Sequence, residues 1–112
     1  MQCLLFAISD EAAFTRMPTE ERQQLFAAFG DYGKALKEAG VLVGNYRPQP
    51  MANAKTVRVV EGATEIKGGL HVSTDEPITG VYVLDVPDLD AALIWAERNP
   101  AARFGVVEVR PI

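Results

Sequence analysis

The stretch from Gly80 to Ile112 constrains the fold most, because its pattern predicts a strand, a helix and a second strand in quick succession. Residues 81–86 are rich in β-branched and aromatic side chains, which suit a packed strand. Asp88 is placed to cap the first free amides of the following helix, and Pro100 ends that helix. Residues 107–110 then alternate apolar and charged side chains, as a strand with one covered face does.

Two apolar patterns earlier in the chain predict the elements that pack against this unit. Cys3 to Ile8 is apolar on both alternating faces, which is typical of a central strand covered from two sides. Thr19 predicts the start of a long helix by capping it with its hydroxyl, and Gly40 predicts its end. Two glycines inside this helix should each cost about 1 kcal/mol relative to alanine. We therefore expect Gly30 and Gly33 to approach the sheet closely or to make room for a ligand.

The two helices are predicted to lie on the sheet through apolar stripes at helical spacing. The stripe of the first helix is formed by Leu25, Phe29, Tyr32 and Leu36. That of the second is formed by Leu89, Ala92, Leu93 and Ala96.

The middle of the chain predicts an inserted hairpin after a short second strand at residues 41–43. Gly44 to Pro50 contains two prolines and is an irregular excursion. Residues 56–60 and 64–67 flank Glu61-Gly62-Ala63, where glycine supplies the turn conformation. The order of elements is therefore β, α, β, hairpin, β, α, β. It predicts one α+β domain over residues 1–112, a ferredoxin-like subunit with a β-hairpin insertion.

A subunit of this kind carries helices on one face of its sheet and leaves the other face bare. Both faces of Leu4 to Ile8 and of Val81 to Leu84 are apolar, and water is a poor neighbour for such a surface. We therefore expect a homodimer in which two sheets meet face to face.

Net charge and cysteine content limit which binding partners and which cellular compartment the sequence allows. The net charge is −4 and the sequence pI is about 4.9, so no basic footprint for nucleic acid is present. The apolar start of the chain lacks a positive leader and reads as a first strand, and no run is long enough to span a membrane. A single cysteine, Cys3, excludes an internal disulfide and fits a reducing compartment. A cytoplasmic protein with no membrane partner is expected.

Several segments together resemble one family, the YCII-related proteins, and within it the subgroup called DGPF-domain proteins. The resemblance is carried, in order, by Ala39 to Gly44, Thr56 to Val59, Gly80 to Val86, Leu89 to Leu93 and Val107 to Pro111. It covers essentially the whole chain. It implies a dimeric α+β barrel built from ferredoxin-like subunits, and it implies no established reaction.

Two departures from the family pattern bear on function. Where the subgroup carries Asp-Gly-Pro-Phe, this chain reads Gly68-Gly69-Leu70-His71 and lacks the aspartate. Related YciI-type proteins carry a histidine on the first helix, paired with a nearby aspartate, and Phe29 stands at that histidine position. The catalytic pair that the resemblance implies is therefore missing here.

The candidate catalytic residues are His71, the only histidine, and Asp75, four residues later. A histidine oriented by a carboxylate suits a general base. The alternative is that His71 lies on an exposed or edge strand, and that Asp75 and Glu76 are solvated loop acids. No metal site is expected, because one histidine and one strand-borne cysteine make no ligand cluster.

The candidate ligand-binding residues are Tyr46, Arg47 and Tyr82. Arginine binds a carboxylate or phenolate through paired hydrogen bonds. The structural alternatives are a tyrosine that anchors a loop, a surface arginine, and a core or interface Tyr82 whose hydroxyl has a polar partner.

Two functions remain open from the sequence. One is a dimeric module that binds a small molecule or another protein, as DGPF domains are similar to segments attached to alternative sigma factors. The other is a lyase or isomerase that acts on a small aromatic or acidic substrate with His71 as general base. Neither requires a cofactor. In both, the expected pocket lies between sheet and helices, near Gly44 to Pro50 and the loop around His71.

Overall fold

The computed structural model describes every residue from Met1 to Ile112 and contains six strands and three α-helices. In chain order the elements are β1 (Gln2–Ile8), α1 (Glu11–Arg16), α2 (Thr19–Glu38), β2 (Leu42–Tyr46), β3 (Lys55–Val60), β4 (Ala63–Gly68), β5 (Ile78–Asp85), α3 (Leu89–Arg98) and β6 (Val106–Pro111). Single 3₁₀ turns at Met51–Asn53 and Pro100–Arg103 precede β3 and β6.

Four strands form one antiparallel sheet in the order β2-β5-β1-β6. This is the strand order of a ferredoxin-like α+β fold. In the register, Leu5 lies opposite Tyr82 on one side and Val109 on the other. The expected central position of the first strand and of the Gly80 strand is confirmed.

The hydrophobic core lies between one face of this sheet and the helices α2 and α3. It consists of Cys3, Leu5, Tyr32, Leu36, Tyr82, Leu84, Val86, Ala92 and Ala96. Every second residue of β1 is buried, as the alternation of a strand with one covered face requires. The Tyr32 hydroxyl donates to the Trp95 carbonyl oxygen at 2.8 Å and so ties α2 to α3.

Helix α2 packs on the sheet through its C-terminal half only. Tyr32 and Leu36 are buried, whereas Leu25 and Phe29 are half-buried. The predicted stripe is therefore correct in its second half, and the first half of the helix overhangs the sheet. Gly40 ends the helix at φ +71°, and the amide of Val41 donates to the Leu36 carbonyl, as in a Schellman motif.

Helix α2 begins at Thr19 as predicted, but the capping role of Thr19 and one of the two explanations for the glycines are wrong. Thr19 is not its N-cap, because Pro18 occupies that position, and the Thr19 hydroxyl instead accepts from Arg22. A side-chain carbon added at Gly30 or Gly33 would meet no atom within 4 Å. Close approach to the sheet therefore does not explain these glycines.

Helix α1 was not predicted, because six residues are too few to show a helical period. Asp10 caps it by accepting from the Ala12 amide at 2.9 Å and also pairs with Arg16 at 2.7 Å. Hydrogen bonds to that arginine hold the pKa of Asp10 below its usual range.

Helix α3 begins at the predicted cap, where the Asp88 carboxylate accepts from the Ala91 amide at 2.9 Å. Its predicted stripe is only half correct. Ala92 and Ala96 are buried, but Leu89 and Leu93 are exposed. Small alanines let the helix lie close to the sheet, and the leucines flank that contact.

Strands β3 and β4 form the predicted hairpin as a separate two-stranded sheet. Its turn consists of Glu61 and Gly62, both with positive φ, which is the backbone of a type I′ turn.

The second face of the four-stranded sheet carries apolar side chains that no element of this chain covers. Leu4, Phe6 and Ile8 of β1 and Val81 and Val83 of β5 are all partly exposed. We call these five residues the open face.

None of the three α-helices combines the length and the apolar character that a membrane span requires.

Candidate functional site

A cavity of about 540 Å³ lies beneath the overhanging half of α2. Its walls come from the end of β1, from α1, from α2, from the excursion after β2 and from the start of β5. It is lined by Ala7, Ser9, Asp10, Glu11, Phe14, Phe26, Phe29, Asn45, Tyr46, Arg47, Pro48, Pro50, Thr79, Gly80, Tyr82, Ala101 and Phe104. This volume is within the range typical of small-molecule sites.

Four phenylalanines form the apolar wall of the cavity. Phe14 meets Phe26 edge to face, with ring centroids 5.0 Å apart, and Phe29 meets Phe104 in the same way at 6.5 Å. They come from α1, α2 and the turn before β6. These rings give the cavity a large apolar surface.

Tyr82 is the buried polar group of the sheet floor. The residue is only 7% exposed, yet its hydroxyl forms no hydrogen bond within the protein and is not sealed from the cavity. The predicted polar partner of this hydroxyl is therefore not a group of the same chain, and it stays a prediction. Burial raises the pKa of Tyr82, and the nearby positive charge of Arg47 offsets part of that rise. Tyr82 thus lines the cavity as a neutral hydrogen-bond donor.

Arg47 supplies the free positive charge of the cavity. It is exposed and has no carboxylate within salt-bridge distance. The acids of the lining are already engaged, since Asp10 pairs with Arg16 and Glu11 Oε2 accepts from the Met51 amide at 2.7 Å.

A hydroxyl pair completes the polar part of the lining. Ser9 Oγ and Thr79 Oγ1 are 3.0 Å apart, and the Thr79 hydroxyl also donates to the Ala7 carbonyl at 3.3 Å. With its one proton used in that way, Thr79 accepts from Ser9, and the Ser9 oxygen keeps lone pairs for a ligand.

Gly105 lets the chain pass close to this pair. A side-chain carbon at Gly105 would lie 2.2 Å from the Ile8 carbonyl oxygen and 2.8 Å from Ser9 Cβ. The turn before β6 therefore fits against the end of β1 only with glycine at this position.

The five candidate residues from the sequence divide into two groups. Tyr46, Arg47 and Tyr82 all line the cavity, although Tyr46 is 62% exposed and its ring folds back over Gly44. His71 and Asp75 lie on the exposed loop between β4 and β5, outside the lining, and neither side chain forms a hydrogen bond. The part of the expected pocket near Gly44 to Pro50 is thus present without the His71 loop.

Sequence reasoning missed Ser9, Thr79 and the four phenylalanines. The hydroxyls are single residues at strand ends with no spacing signal. The phenylalanines come from three separate segments of the chain, and Phe29 was expected in the apolar stripe of the helix and at the histidine position of related proteins. No group of three or more histidine, cysteine or acidic side chains comes together.

A comparison with family models matches the YCII-related domain over residues 1–112. The chain belongs to the YCII-related family. It is 30% identical to the uncharacterized protein R00369 of Rhizobium meliloti (strain 1021), over 97% of this chain and 92% of that protein.

A solved structure has the same fold. It is the 5-chloro-2-hydroxyhydroquinone dehydrochlorinase TftG from Burkholderia phenoliruptrix AC1100, in complex with 2,5-dihydroxybenzoquinone. The TM-score is 0.57 at 13% identity, over 100% of this chain and 93% of the other. At this identity the likeness supports the α+β fold and nothing finer.

Proposed function

We propose that this YCII-related protein binds a small planar aromatic anion, a phenolate or an aromatic carboxylate, in the cavity beneath α2. The observation that carries the proposal is the Tyr82 hydroxyl: the residue is 7% exposed, and its neutral phenol reaches the cavity with no hydrogen-bond partner from the chain. A hydrogen bond from such a group to a charged acceptor contributes about 1.5–3 kcal/mol.

The shape and chemistry of the lining favour an aromatic body over an aliphatic one. Edge-to-face phenylalanine pairs at two positions leave flat surfaces, and the polar groups lie on the sheet side and at the mouth. A ring can therefore lie among the phenylalanines while its oxygen atoms reach Tyr82 and Arg47.

The charge of the site favours an anion. Arg47 is the unpaired cation of the lining, and Asp10 is paired with Arg16; Glu11 keeps its charge, but its Oε2 is turned to the Met51 amide. An arginine beside a neutral phenol can donate from both groups, which suits a carboxylate or phenolate oxygen. The ligand of the structurally similar TftG, a dihydroxybenzoquinone, has the same class of shape and oxygen substituents.

Binding rather than turnover is the primary proposal, because Phe29 contributes a ring where related proteins carry histidine. The second candidate is an enzyme of the lyase or isomerase kind, which the activity in the name of TftG favours. His71 and Asp75 then remain a predicted catalytic pair. Glutamine at His71 would abolish turnover of a ligand identified by binding, and unchanged turnover would remove His71 from the mechanism.

The finer assignments made from the sequence belong to the same proposal. We place the chain in the DGPF subgroup as a divergent cytoplasmic member. We also propose that it forms a homodimer through the open face, whose apolar side chains one chain leaves partly in water.

A thermal-shift screen with small aromatic acids and phenols tests the function directly, followed by calorimetric titration with 2,5-dihydroxybenzoquinone and benzoate. We expect at least one of these anions to raise the unfolding temperature. Arg47→Met and Tyr82→Phe should each weaken its binding by about 10- to 100-fold, the usual cost of a lost hydrogen bond to a charged group.

Arg58→Met is the matched control, because Arg58 is also exposed but lies on the hairpin, away from the cavity. It should bind the anion as the unmodified protein does. No shift with any compound, or equal binding by the Arg47 and Arg58 variants, would overturn the proposal.

A further inference from the structure

The hairpin Lys55–Gly68, which we call the arm, contributes no residue to the hydrophobic core of its own chain. None of its residues is buried. Its two strands are closed at the base, where the Gly69 amide donates to the Ala54 carbonyl at 2.7 Å and the Thr56 hydroxyl donates to the Gly69 carbonyl at 2.9 Å. A two-stranded hairpin alone is at best marginally stable in water.

The two faces of the arm differ in the middle of the hairpin, although Lys55 at the base lies on the apolar face and Val60 and Ala63 beside the turn lie on the other. Val57 lies directly opposite Ile66 and shares its face with Val59, and these three side chains are 61%, 70% and 66% exposed. On the other face, Arg58 lies opposite Glu65 and Thr56 opposite Lys67. A strand pair with one apolar and one charged face is patterned to cover an apolar surface.

The dimensions of the chain show that the arm projects. The radius of gyration is 16.2 Å, and the longest extent is 49 Å against 17 Å for the shortest. A compact domain of this length has a radius of gyration of about 13 Å. A projecting arm accounts for the excess and carries its apolar face away from its own body.

We propose that the arm docks through Val57, Val59 and Ile66 on the body of a second copy of this chain. Two features point to a copy rather than to another protein. The chain carries a second uncovered apolar surface, the open face, and a two-fold pairing covers like surfaces on both copies at once. The charges are also complementary between arm and body.

That complementarity follows from counting the charges on each part. The arm has three cations and two carboxylates and is slightly basic. The remainder of the chain has eight lysines and arginines against thirteen aspartates and glutamates and is strongly acidic. A basic arm is attracted to the acidic body of another copy. This inference rests on the homodimer proposed above and not on the proposed ligand.

Sedimentation equilibrium of three proteins tests the proposal. We expect Val57→Thr/Ile66→Thr, which keeps β-branched side chains on the arm, to raise the dimer dissociation constant by about tenfold or more, as loss of buried interface side chains does. The matched control is Arg58→Thr/Glu65→Thr on the opposite face, which leaves the net charge unchanged. It should shift the constant by no more than about twofold, because exposed charge pairs contribute little.

The apolar double variant could raise the dissociation constant simply because its hairpin no longer forms. A crosslinking experiment on the docked arm tests the proposal without that variant. Cys3 is fully buried, so a cysteine on the arm is the only site open to a benzophenone maleimide. Val59→Cys should give covalent dimers in which the arm is joined to the other copy, and Glu65→Cys on the opposite face should give far fewer.

The outcomes of these experiments test the docking of the arm separately from the proposed binding of an aromatic anion. Equal dissociation constants for the apolar double variant and the unmodified protein, or equal crosslinking from both cysteine positions, overturn the docking of the arm. An unmodified protein that sediments as a monomer at every concentration overturns both the docking and the homodimer. Neither result bears on the anion titration, whose variants lie in the cavity.

Discussion

Tyr82 is a core residue by position, and the proposed function makes it a ligand-binding residue. Its ring packs against Tyr32 with centroids 5.5 Å apart. Its hydroxyl, by contrast, has no partner. Packing fixes the ring, so the donor is held in place before a ligand arrives, which reduces the entropy lost on binding.

The raised pKa of Tyr82 predicts a loss of stability in alkali. In the unfolded chain the phenol ionises near pH 10. In the folded chain, burial keeps it protonated to higher pH. The unfolded state therefore releases its proton first, and the free energy of unfolding falls as pH rises from the unfolded pKa to the folded pKa.

Urea unfolding between pH 8 and pH 11 measures this effect. Tyr82→Phe should show a shallower decline above about pH 10 than the unmodified protein, and Tyr46→Phe, at an exposed position, should leave the decline unchanged. Identical curves for the Tyr82 variant and the unmodified protein would show that its phenol is not held neutral by burial.

Gly105 and Gly30 make opposite predictions for the same substitution. Alanine at Gly105 would force its methyl group against the Ile8 carbonyl, so we expect a loss of about 1–3 kcal/mol. Alanine at Gly30 enters open space on a helix, so we expect a gain of up to about 1 kcal/mol. Denaturant midpoints of the two variants give the comparison, and changes of the same sign would contradict the backbone placement of one of them.

At the scale of elements, the cavity exists because α2 is longer than the surface it covers. Its C-terminal half packs on the sheet through Tyr32 and Leu36, and its N-terminal half carries Phe26 and Phe29 over the site. Helix α1 closes one side and is joined to the excursion by the contact from Glu11 to the Met51 amide. The site is therefore shaped by two helices and one loop on a rigid sheet.

Helix α3 depends on its cap at Asp88. Replacing Asp88 with alanine leaves the Ala91 amide without its acceptor, which should cost about 1 kcal/mol of stability. Asp88→Asn, which keeps an acceptor oxygen, should recover most of that loss. Chemical denaturation of both variants tests this prediction, and equal destabilisation would show that the charge and not the hydrogen bond is what matters.

At the scale of the whole molecule, the open face is the contact surface of the proposed homodimer. Lysine at Phe6 or Val81 should place a charge in the centre of the proposed sheet-to-sheet contact and yield a monomer by sedimentation at micromolar concentration, because an unpaired buried charge is costly. Leu93→Lys, on an exposed position of α3, is the matched control and should remain dimeric. A dimeric Phe6 variant would place the contact elsewhere.

The sequence by itself determined the elements of this protein. The apolar runs of β1 and β5, the Asp88 cap, the Gly40 stop and the turn at Glu61-Gly62-Ala63 are local patterns, and local hydrogen bonds and sterics enforce them. Their order was enough to predict an α+β, ferredoxin-like domain with an inserted hairpin. Resemblance supplied the family, which the match over residues 1–112 confirms.

Only the tertiary structure decided which side chains meet. Ser9 and Thr79 are 3.0 Å apart although seventy residues separate them in the chain, and Phe29 and Phe104 meet across a similar separation. No periodicity encodes such contacts, because they follow from how far α2 extends past the sheet. For the same reason the sequence could not show that His71 and Asp75 lie outside the cavity. It also could not show that Tyr82, which has the pattern of a core residue, lines the cavity.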